Sequence, residues 1–320
     1  LKSTGRNAIN LDRCERDGTT MGMPGRRLTQ DIRAQLRWVK ARAGEIDLSR
    51  FPDFLIVGPQ RTGTTWLHAN LRLHPDVMLS EPKEILFFNR LKQPGHAKFQ
   101  SDRLDWYLQF FREPLWRAAA KTAYCLRHYR RFYWPKVSGE ASASYAALDA
   151  DVIDEIVALN PDVRVMLMIR DPVERAWSHA KKDLVRNRKR KFEEVSEEEF
   201  RAFFTDEYQL RCAQYVRNMD TWQERLQPGH LFVGVFDDVA TRPEELLREA
   251  MVFLGIDADE RFITGMAREE VNPAGGSRIP EKYRTVLEEL FADDRRALQE
   301  RLGLVWPKAR EGEAPAEPLS

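Results

Sequence analysis

Cysteine is scarce in this 320-residue chain, with only Cys14, Cys125 and Cys212. Three cysteines cannot form a closed disulfide set, and none is spaced as a metal knuckle, so reduced thiols in a cytoplasmic setting are expected. A run of about 18 apolar residues is missing, which excludes a membrane-spanning helix. Residues 1–27 are polar and contain no apolar signal-peptide core. The chain opens on Leu1, and Met21 or Met23 offers a natural start. Charge of one sign is lacking as well: 51 Lys and Arg face 50 Asp and Glu, for a formal net charge of +1. That balance argues against a nucleic-acid partner held by net charge, yet it permits a local basic pocket for a small anion. The six histidines have no metal-ligand spacing, so no metal is expected.

The chain does have enough apolar residues, 42% of the total, to bury a sizeable core. Residues 1–27 are expected to be a mobile segment and 28–50 to hold a helix, from about Thr29 as N-cap to Ala43. Pro52 then precedes Phe54–Val57, apolar on both faces as a central parallel strand should be. Val163–Ile169 and Leu231–Phe236 are two further such runs. Helical patterns lie at Thr64–Leu73, Ala150–Leu159, Pro172–Asn187, Leu210–Leu226 and Pro243–Leu254. Strands alternating with helices predict an α/β fold, a central parallel sheet covered on both sides, over residues 51–308. Residues 309–320 are expected to be a disordered tail.

The segment Gly58-Pro59-Gln60-Arg61-Thr62-Gly63-Thr64-Thr65 follows the first strand and opens a helix. Glycines at its ends let the backbone wrap an oxyanion, and the helix N-terminus supplies N–H donors and a positive dipole end. The seventh position is Thr64, where a nucleoside triphosphatase carries the Lys that reaches the outer phosphates. The only cation is Arg61, mid-loop. The alternatives are a P-loop kinase or nucleoside triphosphatase, and a non-catalytic nucleotide-binding module.

Phe54–Leu67 resembles the 5′-phosphosulfate loop of sulfotransferases that use 3′-phosphoadenosine-5′-phosphosulfate (PAPS), closest to the carbohydrate (heparan sulfate-type) branch and its bacterial relatives. The resemblance covers about Phe51 to Pro307. It implies a P-loop NTPase-like three-layer fold, PAPS as co-substrate, 3′-phosphoadenosine-5′-phosphate (PAP) as product, and no required metal. Arg61, Thr62, Gly63, Thr64, Thr65 and Trp66 would hold the 5′ end of the donor. The branch usually has Lys where Arg61 stands, and Arg keeps the charge as a planar fork.

Arg170-Asp171-Pro172 leaves the second apolar strand and enters a helix, with Pro172 suited to its first turn. By likeness to the 3′-phosphate motif of the family, Arg170 and Ser178 grip the ribose 3′-phosphate. A late Gly275-Gly276-Ser277-Arg278 turn resembles the loop that closes over the nucleotide, with Ser277 and Arg278 as contacts. For catalysis, Glu84 occupies the place of the carbohydrate branch's Glu, four residues before Phe88 of the Phe87-Phe88 pair. Glu84 is therefore expected to be the base, with Glu81 as rival and Lys83 as a possible stabiliser of sulfuryl charge. Where several members carry His, this chain has Leu86. Ser138–Tyr145 resembles the family's Gly-Glu-x-Ser/Thr-x-x-Tyr segment. The acceptor is expected to be a small molecule or carbohydrate. The basic stretch Lys181–Lys191 reads first as a solvated helix face and second as a rim for an anionic acceptor.

Overall fold

The computed structural model describes residues 9–10, 26–41, 46–263, 267 and 279–306. Six strands form one sheet: β1 (Ile9–Asn10), β2 (Phe54–Val57), β3 (Val77–Leu79), β4 (Val137–Ala141), β5 (Arg164–Ile169) and β6 (Leu231–Val235). Their order is β1-β6-β5-β2-β4-β3. The strands from β2 to β6 run parallel, and β1 lies antiparallel on β6. The chain leaves the central β2 on one side for β4 and β3, then crosses back to β5. The loops after β2 and β5 therefore sit at a change of direction, where α/β sheets open a crevice for ligands.

Period-two alternation divides the strand residues between two cores. Leu55, Val57, Val165, Leu167 and Val233 face one, and Phe54, Ile56, Met166, Met168 and Phe232 face the other. Both faces are covered, which is why β2 and β5 read as unbroken apolar runs. A third cluster, around Trp177, Phe200, Phe204, Tyr283 and Phe291, packs the helix Pro172–Ala180 against the C-terminal helices.

Several expectations need correction. Thr29 does cap a helix, accepting from Ile32 N, but that helix covers only Gln30–Ala34. The buried Glu155 carboxylate takes the backbone N–H groups of Arg37, Trp38 and Val39 at 2.6–2.8 Å and draws that stretch out of helical pairing. Ile9–Asn10 form a strand within a segment expected to be mobile. The Pro172–Asn187 pattern divides into an α-helix, Pro172–Ala180, and a π-helical stretch, Lys181–Asn187. The Leu210–Leu226 pattern spans two helices, Glu207–Ala213 and Tyr215–Gln223. β3, β4 and the helix Leu115–Tyr129 are additions to the predicted elements. The tail 309–320 lies outside the described residues. No helix among the described residues is long and apolar enough to cross a membrane.

Candidate active site

The loop after β2 is built by its two glycines. Gly58 has φ 147° and Gly63 has φ 96°. A Cβ at Gly58 would stand 2.6 Å from the Met168 carbonyl oxygen, so only glycine lets the turn press against β5. Thr62 is buried and its hydroxyl donates to Pro59 O at 2.8 Å, so this side chain braces the loop. The helix Thr64–Leu71 starts at Gly63, and its first intrahelical backbone bond runs from Leu67 N to Gly63 O. The N–H groups of Thr64, Thr65 and Trp66 are thus left to an anion. The Trp66 ring lies in the core with its indole N–H on Ala267 O, so any donor contact from this residue is through its backbone.

The second cradle meets the first directly. Arg61 Nε donates to Ser178 Oγ at 2.8 Å, and Arg170 Nη1 donates to the Arg61 carbonyl oxygen at 3.3 Å. Asp171 caps the Pro172–Ala180 helix, and Arg295 grips its carboxylate at 3.0 and 2.8 Å. Arg170 stands 3.9 Å from Glu174, whose carboxylate Arg284 approaches to 3.2 Å. Arg170 lies over the Phe236 ring, 4.4 Å from its centre.

Positive charge is concentrated here. Burial, then Arg170 and Arg186, push the Arg61 pKa down, and burial lowers Arg170. Burial and Arg186 lower Lys181, with Arg61 and Arg170 contributing. Such mutual destabilisation of cations is relieved by an anion placed between them. The basic stretch is therefore divided in role. Lys181 and Arg186 face this field, whereas Arg188 and Arg190 pair with Asp183 and Glu199 on the surface. Its sequence signal was the continuation of the helical pattern past Ser178.

Glu84 is anchored through the backbone to the same stretch that holds the loop after β2. Glu84 N donates to Ala141 O, and Gly58 N donates to Ala143 O, so both loops hang from one short stretch that continues β4. Leu86 N donates to Ser142 Oγ at 3.3 Å. Glu84 and Leu86 have φ near 60° and 61°, a left-handed conformation that costs about 1 kcal/mol or more each and is held by these anchors. The Glu84 carboxylate is partly exposed and lies 3.4 Å from Lys83 Nζ. Burial pushes the Lys83 pKa down, Glu84 draws it up, and Lys182 lowers it further. Glu81 instead pairs with Arg117 at 3.1 Å and is well exposed. Ser277 and Arg278 lie outside the described residues.

Sequence reasoning did not assign a role to Glu140, which is fully buried. Tyr107 Oη and Ser142 Oγ each donate to it at 2.5 Å. Ser142 in turn holds the Leu86 N–H, so Glu140 positions the loop that carries Glu84. Burial raises its pKa to about 7 from an ordinary 4.5, outweighing the hydrogen bonds that favour the carboxylate, while Glu84 adds repulsion. Between those values the folded chain holds a proton that the unfolded chain releases. This contribution is complete below the unfolded value and is lost as pH rises toward 7. It amounts to about 3 kcal/mol. Glu140→Gln should flatten the fall in stability between about pH 5 and pH 8, read from urea unfolding of both proteins. An unchanged slope would show that Glu140 ionises normally.

Residues 52–260 match the model of a family described as the sulfotransferase family. Human bifunctional heparan sulfate N-deacetylase/N-sulfotransferase 2 is 30% identical over 221 residues, covering 65% of this chain and 22% of that protein. Human bifunctional heparan sulfate N-deacetylase/N-sulfotransferase 1 is 34% identical over 155 residues, 47% of this chain and 14% of that one. The chain thus spans about a fifth or less of the length of these relatives. Among solved structures, a sulfotransferase from Alicyclobacillus acidocaldarius shares the fold with a TM-score of 0.56 at 21% identity, covering 80% of this chain and 97% of that chain. The matched region runs from just before β2 to well beyond the Arg170 cradle, and on that ground the chain belongs to the sulfotransferase family.

Proposed function

We propose that this chain moves a sulfuryl group from PAPS to an acceptor hydroxyl or amine. The observation that carries this reading is the direct contact between the two cradles, Arg61 Nε on Ser178 Oγ at 2.8 Å and Arg170 Nη1 on Arg61 O at 3.3 Å. One ligand with anionic groups at two ends spans such a pair. PAPS has that form, with a 5′-phosphosulfate for the loop after β2 and a 3′-phosphate for Arg170 and Ser178.

In the proposed reaction Glu84 removes the proton from the acceptor as its oxygen or nitrogen bonds to sulfur. The bond from sulfur to the 5′-phosphate oxygen breaks on the opposite side, and its electron pair stays on that phosphate. Arg61 and the helix N–H groups stabilise the charge that accumulates there. Lys83 stands beside Glu84, placed to offset charge on the sulfuryl oxygens. The products are the sulfated acceptor, PAP and a protonated Glu84.

A carbohydrate is the acceptor class we favour. Supporting it, the named relatives are heparan sulfate N-sulfotransferases by one of their two activities. A cleft of about 340 Å³ also flanks the donor loop, lined by Asn89, Arg90, Ser144, Tyr208 and Arg211 among others. Tyr208 Oη donates to Gln60 of that loop at 2.9 Å.

Calorimetry with PAP, and AMP as control, tests the donor assignment. PAP should bind and AMP should bind far more weakly. Arg170→Ala should weaken PAP by about ten- to a hundredfold and leave AMP unchanged, the loss of one charge-assisted contact. Equal affinity for PAP and AMP would remove the 3′-phosphate from the assignment.

A further inference from the structure

The helix Leu115–Tyr129 is turned inside out relative to an ordinary surface helix. Only Cys125 and Tyr129 are buried among its residues. Leu115, Trp116, Ala119, Ala120, Ala123 and Leu126 recur at helical spacing and face outward. Leu115 is 89% exposed and Trp116 72%. The chain then folds back along the helix, with Tyr133 Oη bonding to Glu113 and lying 3.3 Å from Lys121 Nζ. Phe132 and Trp134, on either side of Tyr133 in this return, are 68% and 77% exposed. Five of the eight exposed large hydrophobic side chains among the described residues lie in this one segment. Scattered singly they would need no explanation, but a concentration marks an interaction surface.

The segment is also strongly basic. Residues 112–136 hold seven Lys and Arg and one acid, Glu113, in a chain whose overall balance is nearly neutral. Arg112, Arg127 and Arg130 are exposed. Glu113 is largely buried, shared between Arg117 and Lys121, so it does little to offset the outward charge.

We propose that this face docks on an anionic lipid surface. Tryptophan, phenylalanine and leucine beside lysine and arginine is the composition of an interfacial helix, which inserts its apolar side chains at headgroup depth while cations meet anionic lipids. A second copy of the chain fits poorly, because a two-fold contact would set this basic face against itself. A polyanionic polysaccharide would use the cations and stack on the aromatic rings. It gains little from Leu115, Leu126 and the alanine stripe, which a lipid surface buries. Docking there would hold the Glu84 loop near the membrane, because Arg117 of this helix donates to Leu79 O at 2.9 Å and pairs with Glu81, three residues before Glu84.

Co-sedimentation of the full chain with phosphatidylcholine vesicles, with and without roughly a third phosphatidylglycerol, tests the proposal. Binding is expected to the anionic vesicles, with a blue shift in tryptophan fluorescence. The pair Trp116→Ser and Trp134→Ser, and separately Arg127→Glu and Arg130→Glu, should each weaken partitioning by about tenfold or more. These side chains are exposed, so melting temperatures should stay close to the parent's, and Leu115→Ser with Leu126→Ser serves as a second apolar pair. Failure to bind anionic vesicles overturns the proposal. So does binding that survives both apolar pairs, which would mean charge attraction alone. Binding to heparin through these residues with none to vesicles would assign the face to a polysaccharide instead.

Discussion

Arg61→Met is expected to lower kcat by about a thousandfold, or roughly 4 kcal/mol of transition-state stabilisation. Methionine keeps most of the length and removes the charge. Arg61 is half-buried, and its pKa is depressed by that burial and by Arg170 and Arg186, so it acts where water screens weakly. Donor binding should suffer less than turnover, because Arg170, Ser178 and the helix N–H groups remain. In the proposed reaction Arg61 is the cation that joins the helix N–H groups in meeting the charge that grows on the leaving phosphate oxygen. Arg61→Lys keeps a cation but gives up the planar Nε contact with Ser178, so its kcat should remain within about tenfold of the parent. Single-turnover kinetics at saturating donor separates these effects. A kcat within about tenfold of the parent for Arg61→Met would place the critical cation elsewhere.

Glu84→Gln should reduce turnover by about a hundredfold or more while PAP affinity stays near that of the parent. Glutamine preserves the shape and the backbone anchors of the loop and removes the ability to take a proton. Glu84 is partly exposed with Lys83 as neighbour, whereas Glu81 is well exposed and pairs with Arg117. Glu81→Gln should therefore leave turnover within about threefold, since only an exposed ion pair is lost. Turnover close to the parent's in Glu84→Gln would remove that residue from the chemistry.

The two predictions rest on different loops, yet those loops are anchored to one another. Gly58 N and Glu84 N bond to Ala143 O and Ala141 O, so the stretch continuing β4 spaces the loop after β2 and the loop that carries Glu84. Glu140 supports that spacing from beneath through Ser142 and the Leu86 N–H. A change at Glu140 should thus be felt in turnover as well as in the pH dependence of stability, although Glu140 itself is sealed from the crevice.

The primary sequence alone determined the parts whose cause is local. β2, β5 and β6 were legible because strands buried on both faces must be continuously apolar. The turn after β2 was legible because glycines at its two ends mark tight backbone, and they take φ 147° at Gly58 and φ 96° at Gly63. Arg170 and Ser178 were picked out by likeness to the 3′-phosphate motif of the family, and Pro172 marks the helix start that places Ser178 within its first two turns.

Tertiary structure decided what depends on partners distant along the chain. β3 has only three residues, and β4, Val-Ser-Gly-Glu-Ala, has no unbroken apolar run; β4 is a strand because β2 offers it an edge, and β3 because β4 does. The N-terminal helix ends early because Glu155, more than a hundred positions away, captures its backbone N–H groups. Packing also turned the apolar stripe of Leu115–Tyr129 outward, an orientation that periodicity alone does not specify. Above all, the contact of Arg61 with Ser178 and Arg170 required the sheet order to bring β2 beside β5, since sequence records the two cradles but not the distance between them.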